Sequence, residues 1–224
     1  MTYPQKNAAN NSFTAERAQL LDGILQLGLD VTPAQVDLLM GYLALFVKWS
    51  KAYNLTAILK PKAMVTLHLL DSLAVAPHFE GQNVLDVGTG AGLPGIPLAI
   101  LFPDTQFTLL DSAGKKIRFL FQVINELGLK NVQVQNLRVE TFKPVDKFDV
   151  VISRAFASIA DFVACTGHLL TENGQFWAMK GQNPVDELSQ LKKHYIVASF
   201  QPLRVPGLDA ERCLIRLQPQ AIAS

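Results

Sequence analysis

The stretch Val84-Leu-Asp-Val-Gly-Thr-Gly-Ala-Gly-Leu-Pro-Gly95 decides the fold. A short apolar run that ends in closely spaced glycines is a buried strand entering a tight turn. Glycine there lets backbone approach a ligand where side chains would block it. Downstream the spacing predicts a helix over 96–102, a strand over 106–111 and a helix over 113–127, with Gly128 placed to stop it. Strands are predicted over 131–135, 148–153 and 174–180, and a helix over 184–193. Two last runs, 195–204 and 212–217, can pair as an antiparallel hairpin across Pro206-Gly207. Strands alternating with helices at this interval indicate a doubly wound α/β fold, a Rossmann-like, mostly parallel sheet closed by a C-terminal antiparallel hairpin.

Upstream of the glycine turn the pattern is helical over 14–80. Thr32-Pro33-Ala34-Gln35 combines a hydroxyl cap, a proline at the first helical position and a glutamine that closes a capping box. Behind it Val36, Leu39, Met40, Leu43, Phe46 and Val47 recur at steps of three and four, an amphipathic stripe. Another helical stretch covers 61–73. The expected organisation is an N-terminal helical extension over 1–80, its first dozen residues a frayed tail, and an α/β domain over 81–224.

Composition excludes several classes. The 224 residues are 49% hydrophobic and 17% charged, which does not suit a disordered, collagenous or coiled-coil chain. The longest apolar runs fall short of the roughly 20 residues needed to span a bilayer. The polar first residues lack a secretory core. Cys165 and Cys213 make neither a disulfide framework nor a zinc site, and no histidine spacing suits a metal. A reducing cytoplasm is the expected compartment and a monomer the expected state. Twenty Lys and Arg against 19 Asp and Glu leave a net charge of +1, so a nucleic-acid function must be argued from a site.

The glycine turn carries the chemistry. Gly88, Gly90 and Gly92 are spaced G-x-G-x-G, unlike the G-x-G-x-x-G of dinucleotide-binding folds. Asp86 precedes them, and a carboxylate there suits a cationic, amine-bearing ligand better than a pyrophosphate. S-adenosylmethionine has such a tail. Asp86 can equally cap the turn through backbone hydrogen bonds. Asp111, at the next strand's end, stands where an acid accepts from both ribose hydroxyls of an adenosine; its alternative is to cap the following helix.

These residues resemble the ribosomal RNA small subunit methyltransferase G family, also called glucose-inhibited division protein B. The segments that carry the resemblance are Asp86-Val-Gly-Thr-Gly-Ala-Gly-Leu-Pro-Gly-Ile-Pro97, Leu110-Asp-Ser112, Trp49-Ser-Lys-Ala-Tyr-Asn-Leu-Thr56, His68-Leu-Leu-Asp-Ser72 and Val151-Ile-Ser-Arg-Ala-Phe-Ala157, with Lys180-Gly181 and Asp209-Ala-Glu-Arg212. The resemblance implies a seven-stranded methyltransferase sheet. It also implies transfer of a methyl from S-adenosylmethionine to N7 of one guanine, 527 in bacterial reference numbering, in 16S ribosomal RNA or the small ribosomal subunit. Its cofactor contacts fall on Gly88, Leu93, the Val139-Glu140 pair and Arg154. Many relatives carry Phe in place of Leu93 and Ala in place of Val139, changes that apolar packing and a backbone contact both tolerate.

Arg154 follows a strand that ends at the same sheet edge as the glycine turn. Its guanidinium can contact RNA phosphate, guanine or the cofactor's carboxylate, or form a structural ion pair. Lys180, at the end of the next strand, has the same alternatives. Lys115, Lys116 and Arg118 fit a solvated helix face, or phosphate contacts. His68 and Asp71, three apart on one helix face, fit a packing network better than an acid/base pair.

Overall fold

The computed structural model describes residues 13–154, 156, 158–181, 184–189, 191 and 194–220. The predicted frayed tail therefore lies outside the described residues, as do Ala155 and Ala157 of the family-like motif.

The front is built from α1 (Thr14–Gln26), α2 (Pro33–Tyr53), α3 (Pro61–Met64), a π-helical turn (Val65–Leu70) and α4 (Asp71–Leu73). The Thr32 capping box forms as its sequence dictates: the hydroxyl accepts from Gln35 N, and the Gln35 carboxamide oxygen accepts from Thr32 N at 2.9 Å. Such a cap stabilises a helix by about 1 kcal/mol. Asn54, at φ +50°, ends α2 in the left-handed conformation. The expected regular helix over 61–73 widens at its centre. There the Leu67 carbonyl accepts from His68 Nδ1 at 3.0 Å and Arg154 Nη1 at 3.2 Å, side-chain donors drawing an acceptor out of the regular ladder.

The remainder alternates: β1 (Asn83–Val87), α5 (Gly95–Leu101), β2 (Gln106–Leu110), α6 (Gly114–Leu127), β3 (Val132–Gln135), β4 (Phe148–Ser153), α7 (Ile159–Thr166), β5 (Leu170–Lys180), α8 (Val185–Ser189), β6 (Tyr195–Pro202) and β7 (Cys213–Pro219). The seven strands are ordered β3-β2-β1-β4-β5-β7-β6. The first five are parallel, and β7 pairs antiparallel with both β5 and β6, which is the expected hairpin. Gly128, at φ +67°, stops α6. Two elements differ from the sequence reading. It assigns nothing between β4 and β5, yet α7 forms there, started by Ser158 Oγ accepting from Asp161 N at 3.0 Å. Strand β5 begins at Leu170 instead of 174, because Leu170 pairs with Phe148 across a bulge.

Strand alternation sorts the apolar side chains onto two faces. Val84, Phe107, Leu109, Val150, Ile152, Trp177 and Met179 join α2, α5 and α6 in one core cluster. Leu85, Val87, Val151, Phe176, Ala178 and Ile215 join α7 in the other. The first cluster continues into the front helices through Leu39, Leu43 and Phe46, so the helical extension completes the core on that face. No described helix is long and apolar enough to cross a membrane.

Candidate functional site

From β1 the chain runs to β2 and β3 on one side, then returns to β4 on the other. Open α/β sheets bind ligands at such a switch point, beyond the carboxyl ends of the strands. Gly88 and Gly90 lie there at φ +68° and +64°, a region that disfavours any side chain. The turn is tied to its neighbours. Gly88 N and Thr89 N donate to the Leu110 carbonyl at 2.9 and 3.2 Å, and Ser153 Oγ donates to the Val87 carbonyl at 2.8 Å.

Asp86 is wholly buried beneath this turn. Its Oδ2 accepts from Thr89 Oγ1 at 2.7 Å and from Gly95 N at 2.8 Å, so one carboxylate fastens both ends of the loop. Burial pushes its pKa up to about 6, against the pull of those two hydrogen bonds. Of the two readings of Asp86, the geometry displays the cap. Gly92 is likewise a packing glycine, because a Cβ there would stand 2.5 Å from Ile96 and 2.8 Å from Leu120. Leu93 is buried just past the turn, in the core beside α5.

The cleft over the turn, about 230 Å³, brings together Gly88, Asp111, Val139 and Glu140 from separate elements. Asp111 Oδ2 accepts from Gly90 N at 3.0 Å and Lys116 Nζ at 3.2 Å, while Oδ1 accepts from Ala113 N at 2.8 Å. A carboxylate offers about four acceptor positions. One is left for a ribose hydroxyl, and a second becomes available if Lys116 moves aside. Asp111 thus holds the turn, caps α6 and lines the cleft. At Gly90 a Cβ would meet nothing nearer than 3.9 Å, so this glycine leaves open space beside the cleft. These features fit an adenosine-bearing cofactor. Lys116 is turned to Asp111, whereas Lys115 and Arg118 are exposed.

Arg154 and Lys180 lie apart from that cleft. Arg154 Nη1 donates to Asp71 Oδ2 at 2.9 Å, which is the ion pair among its alternatives. Asp71 Oδ1 accepts from Arg212 Nε at 2.8 Å, so one buried carboxylate joins α4, the end of β4 and the start of β7. Lys180 pairs with Glu187 at 2.8 Å and donates to the Phe156 carbonyl at 3.2 Å. Arg154, Lys180, Arg212 and Asp71 line a second cavity of about 450 Å³.

His68 belongs to the packing network. Leu67 O can only accept, so Nδ1 carries the proton and Nε2 accepts from Thr56 Oγ1 at 3.0 Å. Burial, reinforced by Arg154, drives its pKa down to about 4. The ring is neutral at pH 7.

Sequence reasoning misses three contributors. Arg138 lines the cleft beside Phe156, but only the fold brings it to Asp111. Tyr42, one more apolar position in the helix stripe, donates its hydroxyl to the Ala91 carbonyl at 2.7 Å. Arg212 stands in a family-like segment without a role until Asp71 reaches it.

Comparison with known proteins agrees with this architecture. Residues 35–215 match the family model described as rRNA small subunit methyltransferase G. The chain is 59% identical over 189 residues to "Ribosomal RNA small subunit methyltransferase G" of Saccharophagus degradans, covering 84% of this chain and 85% of that protein. It is 52% identical over 206 residues to the protein of the same name from Chromobacterium violaceum, covering 92% and 99%. Among solved structures it resembles TrmN from Thermus thermophilus, with a TM-score of 0.54 at 16% identity over 77% of this chain and 52% of that one. It also resembles coclaurine N-methyltransferase bound to N-methylheliamine and SAH, with a TM-score of 0.54 at 13% identity over 87% and 75%. The two structural likenesses bear on the fold alone. With four-fifths of the chain inside the family model and identities above half, the chain belongs to the ribosomal RNA small subunit methyltransferase G family, whose members are S-adenosylmethionine-dependent methyltransferases.

Proposed function

We propose that this protein methylates N7 of one guanine in 16S ribosomal RNA, guanine 527 in bacterial reference numbering, in the cytoplasm and on the RNA or the small ribosomal subunit. The observation that carries the reading is the convergence of Gly88, Asp111, Val139 and Glu140 on one cleft at the switch point of a chain from this family.

In this reading Asp111 accepts from the cofactor's ribose, Gly88 and Gly90 admit its backbone-facing side, and Val139 and Glu140 flank the adenine end. Leu93 acts by fixing the turn from the core. Asp86 and Gly92 support the turn from below, and Arg154 and Lys180 face the substrate side. When bound, S-adenosylmethionine supplies a methyl already activated on a sulfonium. Guanine N7 carries an in-plane lone pair and no proton, so the chain need not supply a general base. That agrees with a neutral His68 whose two nitrogens are engaged by Thr56 and Leu67. The protein's task is orientation, which can lower a barrier by roughly 7–11 kcal/mol.

The test is the mass and position of modified nucleotides in 16S RNA from cells with and without the gene. Loss of one 7-methylguanosine, restored by the gene, is expected. An unchanged methylation pattern would overturn the proposal.

A further inference from the structure

Resting on that proposed reaction, we infer that the 450 Å³ cavity between α4, β5 and β7 seats the target nucleotide, extruded from the RNA, while the glycine-turn cleft holds the cofactor. The two spaces share no lining residue among those described. The chain just past β4 borders both. Phe156 lines the cleft while its carbonyl accepts from Lys180 Nζ, and Arg154, two residues earlier, lines the cavity.

Charge distinguishes the two spaces. In the cleft Asp111 is matched by Lys116 and Glu140 stands with Arg138, which leaves no excess of positive charge to oppose the cationic S-adenosylmethionine. A nucleotide within RNA carries a negative phosphate, and the cavity presents Arg154 and Arg212 against Asp71, with Lys180 already matched by Glu187. The buried Asp71 holds both guanidinium groups through Arg154 Nη1 and Arg212 Nε, and the Nη2 of each has no partner among the described residues. Planar guanidinium donors in such a pair suit phosphate oxygens, and the O6 acceptor of guanine. Beside the His68 ring, Ile58, Leu67, Met179 and Leu203 offer apolar faces against which an unstacked base is held. A space of about 450 Å³ takes one nucleotide and not a duplex.

Two experiments test the assignment. The first uses wild-type protein saturated with S-adenosylhomocysteine and photolabelled with millimolar 8-azidoguanosine 5′-monophosphate. Label that guanosine monophosphate competes away is expected in peptides carrying Ile58, Leu67 or Leu203. Label confined to peptides carrying Gly88, Asp111 or Val139, or no competable label, would overturn it. The second is Leu203→Trp, which fills the cavity from its apolar wall. The variant should lose at least tenfold in kcat/KM for RNA while its S-adenosylmethionine affinity stays within twofold. A tenfold loss of cofactor affinity with unchanged RNA kinetics would show that the cofactor's carboxylate end, not a nucleotide, occupies the cavity. The photolabelling result stands even if Leu203→Trp does not fold. It also reads the cavity directly, so a wild-type protein that bound the probe but failed to methylate 16S RNA would count against the proposed function and leave the seat intact.

Discussion

The Tyr42 hydroxyl donates to the Ala91 carbonyl across 2.7 Å, and it is fully buried in doing so. Tyr42 sits in the helical front and Ala91 in the glycine turn, so a helix outside the α/β alternation holds the loop beneath the cleft proposed for the cofactor. Tyr42 and Phe46 stack at 5.7 Å, and Phe119 of α6 packs against both, which locks the ring in place. Burial raises the hydroxyl's pKa above its ordinary value, so it stays a donor throughout the accessible pH range.

Removing that hydroxyl should therefore loosen the turn. Tyr42→Phe keeps the ring and should cost about 1 kcal/mol, the net value of a typical intramolecular hydrogen bond, with up to about 3 kcal/mol if the Ala91 carbonyl is left unsatisfied. S-adenosylmethionine affinity should fall several-fold in calorimetry. Wild-type affinity together with wild-type melting would show that the front helices do not govern the turn.

Asp111 has three protein donors, so alanine would confound loss of a ribose contact with loss of the α6 cap. Asp111→Asn retains one acceptor for Ala113 N and removes the charge. It should weaken S-adenosylmethionine binding by roughly 1–3 kcal/mol, as expected when a charge-assisted bond is lost. Its melting temperature should drop much less than the binding. Unchanged calorimetric affinity would remove Asp111 from the cofactor site.

Gly90 stands at φ +64° with open space where its Cβ would be. Gly90→Ala introduces strain of order 1–2 kcal/mol without a clash. Gly90→Val adds a branched side chain beside the cleft and should abolish detectable cofactor binding. A valine variant that binds normally would place the cofactor elsewhere.

His68 should govern acid stability but not the chemistry. Its folded pKa of about 4 lies below the ordinary value of 6.5, so between those values the unfolded chain binds more protons. Its contribution to stability is complete above about pH 6.5 and fades as the pH falls towards 4. Asp86, raised to about 6, acts in the opposite sense, gaining stability as the pH falls through 6. His68→Gln should therefore lose less stability than wild type between pH 7 and 5, with a single-turnover rate of the same pH profile. A rate limb that disappears with His68 would identify it as a base.

Much of the architecture was legible because it depends on local pattern. The Thr32 box, Gly128 and the run into Gly88 are encoded within a few residues of where they act. Helix α7 was also encoded, since Ser158-Ile-Ala-Asp161 is a capping sequence and Ile159, Phe162, Val163 and Thr166 recur at helical spacing. The site was legible only in part. Glycine spacing and a distant acid mark Gly88 and Asp111, but no pattern shows that Asp71 would meet Arg212, 141 residues away, or that Lys116 would turn to Asp111. Those pairings exist only after the sheet has set its strand order. The double duty of Asp111, holding backbone while lining the cleft, follows from donors that tertiary structure supplies, as does the hold of the buried Asp86 on both ends of the turn.

Transfer to guanine N7 is probed by placing 7-deazaguanine at the target position. That base lacks only the N7 acceptor and keeps its Watson–Crick edge. With wild-type protein, S-adenosylmethionine and an otherwise identical 16S RNA, methyl transfer to the substituted nucleotide should vanish, while the unmodified RNA accepts one methyl there. Methylation of the 7-deazaguanine nucleotide at the wild-type rate would exclude N7 as the acceptor.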